Sequence, residues 1–584
     1  MTSPSRELLR QKLDDPEVVS PEQRAAVETV GDFLLVACPG SGKTRTAGLR
    51  AAWWGLDEPP RSIAVTSYTN VAVDEIRASA AEVGLVLGEP HFCGTLHSLL
   101  LRFVFYPFGH LVMGCDGTPR VAPDGQAPPV EINDVWLGDN RYWAKVSDFH
   151  FRPDGSFDAQ NPQSLPLTID DIVAVGSDQA HKLKAQLFAE GYASFSDSMY
   201  ISMRVLAEHE SIGRRVAGRF DEVIVDEVQD TSSVQFECLS LLRSTGKLGS
   251  LVLIGDPDQA IYEWQGADPV ACRAFASDHG LGTLELTRNY RSSQAICNVT
   301  HRLSARGTPE NAVGAAKEFG VPPEVLIYDS SDMSAAIDSF KSRLDTHDVE
   351  IQATVLVRNR TLARKLNNIG NVSMSWQVRA LGDAAATFHA LHSFESRSLK
   401  GVEDVLHRLA WGYIGRLDPA ARVKLRDTAC RLIAGLPEPT ADKSFKDWIR
   451  DVRSHVAAAV AELSDEPEGK VSSAIRARAG DDMRIASDVL PTTVAVAVAR
   501  TVHSAKGESH EAVLLLSGKA TARRDSARDW IKGELGEARD EETRIGYVAL
   551  TRARRYCAVA LPDTTPTDIL SAYEAAGFVI VSAA

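Results

Sequence analysis

The chain has 584 residues, 44% of them hydrophobic and 24% charged, which excludes a disordered or fibrous protein and allows several packed cores. Its 63 basic and 78 acidic residues give a formal net charge of −15. Any grip on nucleic acid must therefore come from a local basic groove and not from an overall cationic surface. The eight cysteines include no CxxC pair, which argues against a zinc ribbon or iron–sulfur run and suits a reducing compartment. The opening segment MTSPSRELLRQKLDDPEVV has no apolar core of the kind a signal peptide needs. No stretch approaches the roughly 20 apolar residues of a membrane helix. A cytoplasmic protein without membrane association is expected.

Short apolar runs of strand length recur along the chain: FLLVA (33–37), IAV (63–65), VIV (223–225), LVLI (251–254), TVLV (354–357), VLLL (513–516) and CAVAL (557–561). Amphipathic Ala-, Leu- and Arg-rich segments separate them and read as helices. Alternating strands and helices predict α/β domains with parallel sheets, whose chemistry lies beyond the carboxyl ends of the strands. The residues just past several of these runs are chemically rich: PGSGKT, TSYTN, DEVQD and GDPDQ. Two long stretches break the alternation. Residues 101–215 open with a Pro- and Gly-rich loop and end in helical sequence. Residues 372–490 are mostly helical. Both read as insertions into sheet domains.

ACPGSGKT (37–44) follows one predicted strand and opens a helix. Gly40 and Gly42 let backbone N–H groups approach phosphate oxygens, Ser41 lies between them, and the helix N-terminus adds partial positive charge. Lys43 can reach the β- and γ-phosphates and Thr44 can hold Mg²⁺. Ala37 replaces the first glycine of the usual pattern. DEVQD (226–230) then delivers two adjacent carboxylates at a strand end. Asp226 is expected to bind Mg²⁺ directly or through water, and Glu227 to orient or deprotonate the attacking water.

With these two elements in place, the chain resembles superfamily 1A DNA helicases of the UvrD/PcrA/Rep type. Seven further motifs occur in family order. SPEQ (20–23) resembles the adenine-reading motif; TSYTN (66–70) and GTLHS (94–98) resemble DNA-contacting motifs; GDPDQAIYEWQGA (255–267), NYRS (289–292), TVHSAKG (501–507) and EETRIGYVALTRAR (541–554) follow. The resemblance implies two RecA-like P-loop NTPase domains with parallel sheets, each carrying a mainly helical insertion. Residues 1–100 and 216–290 would form the first domain and 101–215 its insertion. Residues 291–371 and 491–584 would form the second, with 372–490 a shortened helical insertion.

The same resemblance assigns roles to residues. ATP and Mg²⁺ are the expected cofactors. Gln23 would read the adenine edge, with Arg45 and Tyr290 sandwiching the ring. Gln259 would sense the γ-phosphate, and Arg291 and Arg552 would reach it from the second domain as arginine fingers. The physical sense is that a P-loop leaves one side of the developing charge open, and arginines close that side when the cleft closes. Tyr262, Trp264 and Tyr68 would stack on unpaired bases without regard to sequence. Asn70, Thr95, His97 and His503 would contact the DNA strand.

The pattern also departs from the family. Gln265 stands where motif III carries arginine, and Val71 where motif Ia carries lysine. Ser509 stands where motif V carries the glutamate that contacts the ribose, with Glu508 and Glu511 nearby. The expected activity is ATP-driven 3′ to 5′ movement on single-stranded DNA with unwinding of 3′-tailed duplexes. The alternative is a nucleotide-gated DNA sensor that licenses a partner nuclease. Compact UvrD-like proteins of anti-phage systems such as Gabija suggest it. A repair protein is the other partner expected.

Overall fold

A computed structural model describes residues 4–122, 135–137, 143–159, 167–262, 269–349, 353–366, 375–392, 394, 396–411, 419–440, 442–465, 467, 470–476, 485, 499–518, 531 and 540–582. The described residues divide into two compact units. The first comprises 1–331, 339–352 and 506–584, and the second 332–338 and 353–505.

The first unit is built on six parallel strands: β1 (Phe33–Ala37), β2 (Ile63–Ser67), β3 (Phe92–Thr95), β4 (Glu222–Val225), β5 (Ser250–Gly255) and β6 (Gly282–Leu286), in the order β6–β1–β5–β4–β2–β3. These strands are nearly continuous apolar runs because both faces are covered. The two-residue period of a strand sorts their side chains. Phe33, Leu35, Ile224, Val252 and Ile254 enter one core with α1 (Pro21–Glu28), α2 (Lys43–Gly55) and α3 (Asn70–Ala81). Leu34, Val223, Val225, Leu251 and Leu253 enter the other.

Between β3 and β4 lie α4 (Ile169–Ala189) and α5 (Phe195–Glu208). A short antiparallel ribbon, Phe149–Phe151 against Phe157–Ala159, packs with α4 around Phe149, Phe157, Ile172 and Leu183. This inserted stretch therefore carries β-ribbon as well as helix. Lys184 and Asp197 pair inside it at 2.6 and 2.8 Å, each side chain 1% exposed. After β4 come α6 (Ser233–Ser244) and, beyond β6, α7 (Gln294–Leu303). The first unit holds four further parallel strands, β7 (Glu324–Tyr328), β8 (His510–Leu516), β9 (Ala553–Pro562) and β10 (Val579–Ser582), paired β8–β9–β7–β10. Helix α8 (Glu541–Leu550) precedes β9 and is capped by Asp540, whose side chain accepts from Thr543 N.

In the second unit, strands Ala353–Val357 and Ala499–Thr501 pair in parallel. Four helices, Trp376–Leu391, Ser396–Trp411, Pro419–Gly435 and Phe445–Leu463, share one core around Leu406, Phe445, Trp448 and Val452. The Trp448 indole N–H donates to the Pro437 carbonyl at 2.9 Å, which settles its one polar atom inside that core. Among the described residues no helix is long and apolar enough to cross a membrane.

One buried cation locks the elements that carry the site. Arg50 on α2 donates to both carboxylate oxygens of Glu222 on β4, at 2.9 and 2.6 Å. It also donates to the Ala26, Val27 and Thr29 carbonyls at the end of α1, at 2.7, 3.2 and 2.8 Å. Ser250 on β5 donates to the same carboxylate at 2.8 Å. Replacing Arg50 by Met leaves Glu222 buried and uncompensated, so unfolding in urea should show a loss of about 3–5 kcal/mol.

Candidate nucleotide site and nucleic-acid interface

The loop 38–42 runs from the carboxyl end of β1 into α2. Gly42 takes the left-handed conformation, φ +76°, where the chain turns into the helix. Four carbonyls of the loop are engaged by the protein. Cys38 O accepts from Ser41 Oγ at 2.7 Å, Gly40 O from Tyr290 N at 3.0 Å, Ser41 O from Gln23 Nε2 at 3.0 Å and Gly42 O from Thr46 N at 2.9 Å. These four oxygens are thereby held by protein donors, which suits an anion cradle at a helix N-terminus.

Lys43 and Thr44, the first residues of α2, meet the acids at the end of β4. Lys43 Nζ lies 3.1 Å from Glu227 Oε1, and Thr44 Oγ1 donates to Asp226 Oδ2 at 3.0 Å. Burial and the neighbouring Glu227 push the Asp226 carboxyl up. For Glu227, burial acts upward, but Lys43 and Lys506 outweigh it and hold the carboxyl low. Burial would likewise depress Lys43, and the carboxylates of Glu227, Asp226 and Asp256 raise it instead. Glu227 has a left-handed backbone, φ 54°, of the strained kind found at functional sites. The Gln229 side chain holds it by donating to Oε2.

Asp226 Oδ1 is buried and has no hydrogen-bond partner among the described residues. An orphaned carboxylate oxygen beside a threonine hydroxyl at a phosphate loop fits Mg²⁺, which takes few protein ligands and completes its shell with water and phosphate.

Beyond β5, Asp256 Oδ2 accepts from Gln259 Nε2 at 2.8 Å, and Gln259 Oε1 accepts from Arg552 Nη2 at 3.1 Å. Arg552 is 2% exposed and also donates through Nε to Val548 O at 3.0 Å. Arg291 is partly buried and donates to Thr551 O at 3.0 Å. Burial first, and then Arg552 and Arg554, push its guanidinium down to about 9, and burial lowers Arg552 as well. Among the described residues neither arginine forms an ion pair. The loop bearing Arg291 lies hard against the phosphate loop, since a Cβ on Gly40 would sit 2.6 Å from Arg291 Cβ and 2.8 Å from Asn289 Oδ1.

The other residues singled out in the sequence divide. Gln23 is 3% exposed and its amide is engaged within the protein: it accepts from Ser20 N at 3.0 Å, as half of a capping box, and donates to Ser41 O. Arg45 Nη1 donates to Val18 O at 3.0 Å, while Tyr290 is exposed. Tyr68 and Tyr262 stack on each other, centroids 5.0 Å apart and 27° between planes. Asn70 is exposed at the start of α3. Thr95 caps a short helix, accepting from Ser98 N at 3.0 Å. His97 stacks on Phe195 and shares a hydrogen bond with Ser198 Oγ at 3.3 Å. Burial pushes its pKa down to about 3, so any phosphate contact it makes is as a neutral imidazole. His503 lies half-buried in the second unit. Trp264 and Gln265 fall outside the described residues. Glu508 pairs with His510 at 3.3 Å and Glu511 with Arg555 at 3.3 Å, so both candidate substitutes for the ribose contact have protein partners.

Lys506 stands inside TVHSAKG but drew no role from the sequence. Its Nζ donates to Asp230 Oδ2 at 2.5 Å and to Gln259 O at 2.8 Å, and lies 4.8 Å from the Tyr262 ring centroid. It thus joins the acidic motif, the residue linked to Arg552 and the tyrosine pair.

A phosphate loop after β1, with a threonine–aspartate pair and a second buried acid after β4, two strands away in the same sheet, defines a P-loop NTPase. The comparisons narrow the class. Residues 19–112 and 174–280 match the UvrD/REP helicase N-terminal domain. The chain is 27% identical over 342 residues to the ATP-dependent DNA helicase Rep of Escherichia coli (strain K12), covering 56% of this chain and 49% of that one. It is 27% identical to DNA helicase II of Haemophilus influenzae over 303 residues and to the ATP-dependent DNA helicase PcrA of Staphylococcus aureus over 297, each covering 48% of this chain and 39% of the relative. Over these residues the chain is similar to UvrD-like helicases of superfamily 1A, and it spans half or less of the length of these relatives.

The contact at Gly40 is testable. Gly40→Ala adds a methyl group against Arg291 and Asn289 at φ +72°, so it should destabilise by about 1 kcal/mol or more. Melting of the purified variant measures the loss.

Proposed function

We propose that this protein is an ATP-driven DNA helicase that moves 3′ to 5′ along single-stranded DNA and opens 3′-tailed duplexes. The observation that carries the reading is the pair of guanidiniums, Arg291 and Arg552, without carboxylate ion pairs among the described residues, beside a phosphate loop and its paired acids. A dense, mobile negative charge such as the γ-phosphate of ATP suits that setting. The names of the relatives, all DNA helicases, agree with it.

In this reading, the loop amides and Lys43 bind the phosphates. Thr44 and Asp226 would hold Mg²⁺, which supplies charge neutralisation at the phosphate oxygens when bound. Glu227, kept ionised by Lys43 and Lys506, orients the attacking water and takes its proton. Arg291 and Arg552 stabilise the charge that develops on the transferred phosphoryl group. Gln259 and Lys506 connect this chemistry to Tyr262, where bases stack. Stacking and phosphate contacts let an acidic protein hold DNA, with affinity that falls as salt rises.

Single-stranded DNA should stimulate ATP hydrolysis. Glu227→Gln should retain nucleotide binding and lose turnover, and Arg552→Ala should lower kcat on the order of 10³-fold or more. A Glu227→Gln protein that hydrolyses ATP at the parent rate removes the base from this scheme. Strand displacement should occur on a duplex with a 3′ tail and not on one with a 5′ tail. DNA-stimulated hydrolysis without displacement on either substrate favours the DNA-sensing alternative.

Tyr262→Ala should weaken single-strand affinity by roughly 1–3 kcal/mol, similarly for different base compositions, as measured by fluorescence anisotropy with labelled oligonucleotides. Unchanged affinity together with a large drop in melting temperature would assign Tyr262 to packing alone.

A further inference from the structure

We infer that Arg306 is a positioning residue that sets Arg291 and Arg552 together; the inference rests on the ATP-hydrolysis reading above. Arg306 follows α7, its side chain is 8% exposed, and it carries no motif signature. Its guanidinium has three arms. Nε donates to Ser304 Oγ at 3.1 Å. Nη2 donates to the Glu310 carboxylate and to the Tyr547 hydroxyl, the latter at 2.6 Å. Nη1 lies 3.9 Å from Asp256 Oδ2 and has no hydrogen-bond partner among the described residues.

Two polar chains lead away from this fork, one by hydrogen bonds through Glu310 and the other across the 3.9 Å ion contact to Asp256, and each ends on one of the arginines. Glu310 Oε2 accepts from Asn289 Nδ2 at 2.9 Å, and Asn289 Oδ1 accepts from the backbone N–H of Arg291 and of Ser292, both at 2.9 Å. The backbone that presents Arg291 is thereby tied to Arg306. On the other side, Asp256 Oδ2 accepts from Gln259 Nε2, and Gln259 Oε1 accepts from Arg552 Nη2. Tyr547 adds a direct tie, because it lies on α8, which leads into Arg552. The nodes are buried: Asp256 is 0% exposed, Tyr547 1%, Asn289 2% and Glu310 4%.

Charge explains why the node is an arginine. Asp256 and Glu310 are buried carboxylates that need a cation close by, and Arg306 faces both. A lysine offers one point charge and cannot reach a hydroxyl, a carboxylate and a phenol in one plane. Among the described residues Arg306 makes no hydrogen bond to the phosphate loop 38–42 or to the acids of 226–230. A shift of the fork would instead move both arginines out of register with the phosphoryl group, and misplacement of about 1 Å costs on the order of 10²-fold in rate.

The test uses the full chain with Arg306→Met, Arg306→Lys and Tyr547→Phe, and with Arg291→Ala and Arg552→Ala as references. Steady-state hydrolysis gives kcat and KM, and titrations give affinities for ADP and for ADP with aluminium fluoride in the presence of Mg²⁺. Arg306→Met should lower kcat on the order of 10²-fold with KM little changed. It should weaken the fluoride complex by a similar factor while ADP binds as in the parent. Arg306→Lys should recover only part of the loss, and Tyr547→Phe should show a smaller loss in the same direction. Because the residues act as a unit, Arg306→Met should add little in an Arg552→Ala background.

Parent kcat in Arg306→Met overturns the inference, as does equal weakening of ADP and of the fluoride complex. A loss fully additive with Arg552→Ala does the same. If Arg306→Met does not fold, Tyr547→Phe decides, and parent kcat with parent fluoride affinity there overturns the inference. Parent turnover in both Arg291→Ala and Arg552→Ala would instead remove the reading on which it rests.

Discussion

Two carboxyl groups side by side at the buried end of a strand cannot both be charged without cations close at hand. Asp226 and Glu227 pose that constraint, and much of the surrounding structure answers it. Lys43 comes from the phosphate loop and Lys506 from beyond the second unit's last residue; both favour the charged form of Glu227. Asp226 is left with one oxygen on Thr44 and one without a hydrogen-bond partner among the described residues. The pair is thus split, one acid held as a carboxylate and the other pushed toward its neutral form by burial and by its neighbour.

The sheet makes this arrangement stiff. β1, β4 and β5 are adjacent, so the phosphate loop, the acids and the GDPDQ turn leave from the same edge. Arg50 fixes α1, α2 and β4 to one another beneath that edge, with Ser250 of β5 sharing the carboxylate. The arginine side of the site is held differently, by long polar chains through Asn289, Glu310, Gln259 and Tyr547. Sheet packing and the Arg50 network together position the first group, and oriented hydrogen bonds tie the second. Hydrogen bonds break and re-form over small displacements, whereas a packed sheet does not shear, so motion belongs on the arginine side.

Local signals were the readable ones. A glycine-rich turn after an apolar run, or DE after VIV, reports its own backbone and chemistry, and Lys43, Thr44, Asp226 and Glu227 come together in the structure. The parallel sheets followed from run length and composition. What stayed hidden were partnerships between distant residues. Arg306 and Tyr547 are 241 positions apart, and nothing in either neighbourhood announces the other. Gln23 illustrates a different gap. Its place in SPEQ suggested a base-reading amide, while the capping box and the Ser41 carbonyl occupy that amide from within. Burial also lies beyond a sequence reading, and it is burial that leaves His97 a neutral ring stacked on Phe195.

The mutual stacking of Tyr68 and Tyr262 has a consequence for how firmly a strand can be held. On the proposed reading, a base that enters between the rings gains two faces and separates one existing contact. The free energy of capture is then a difference between stacking interactions of similar size, each about 1–3 kcal/mol or less. Such an exchange gives a grip loose enough to be undone in every cycle of hydrolysis. A walker needs feet that lift, and a pair of rings able to close on each other supplies a resting place for the lifted foot.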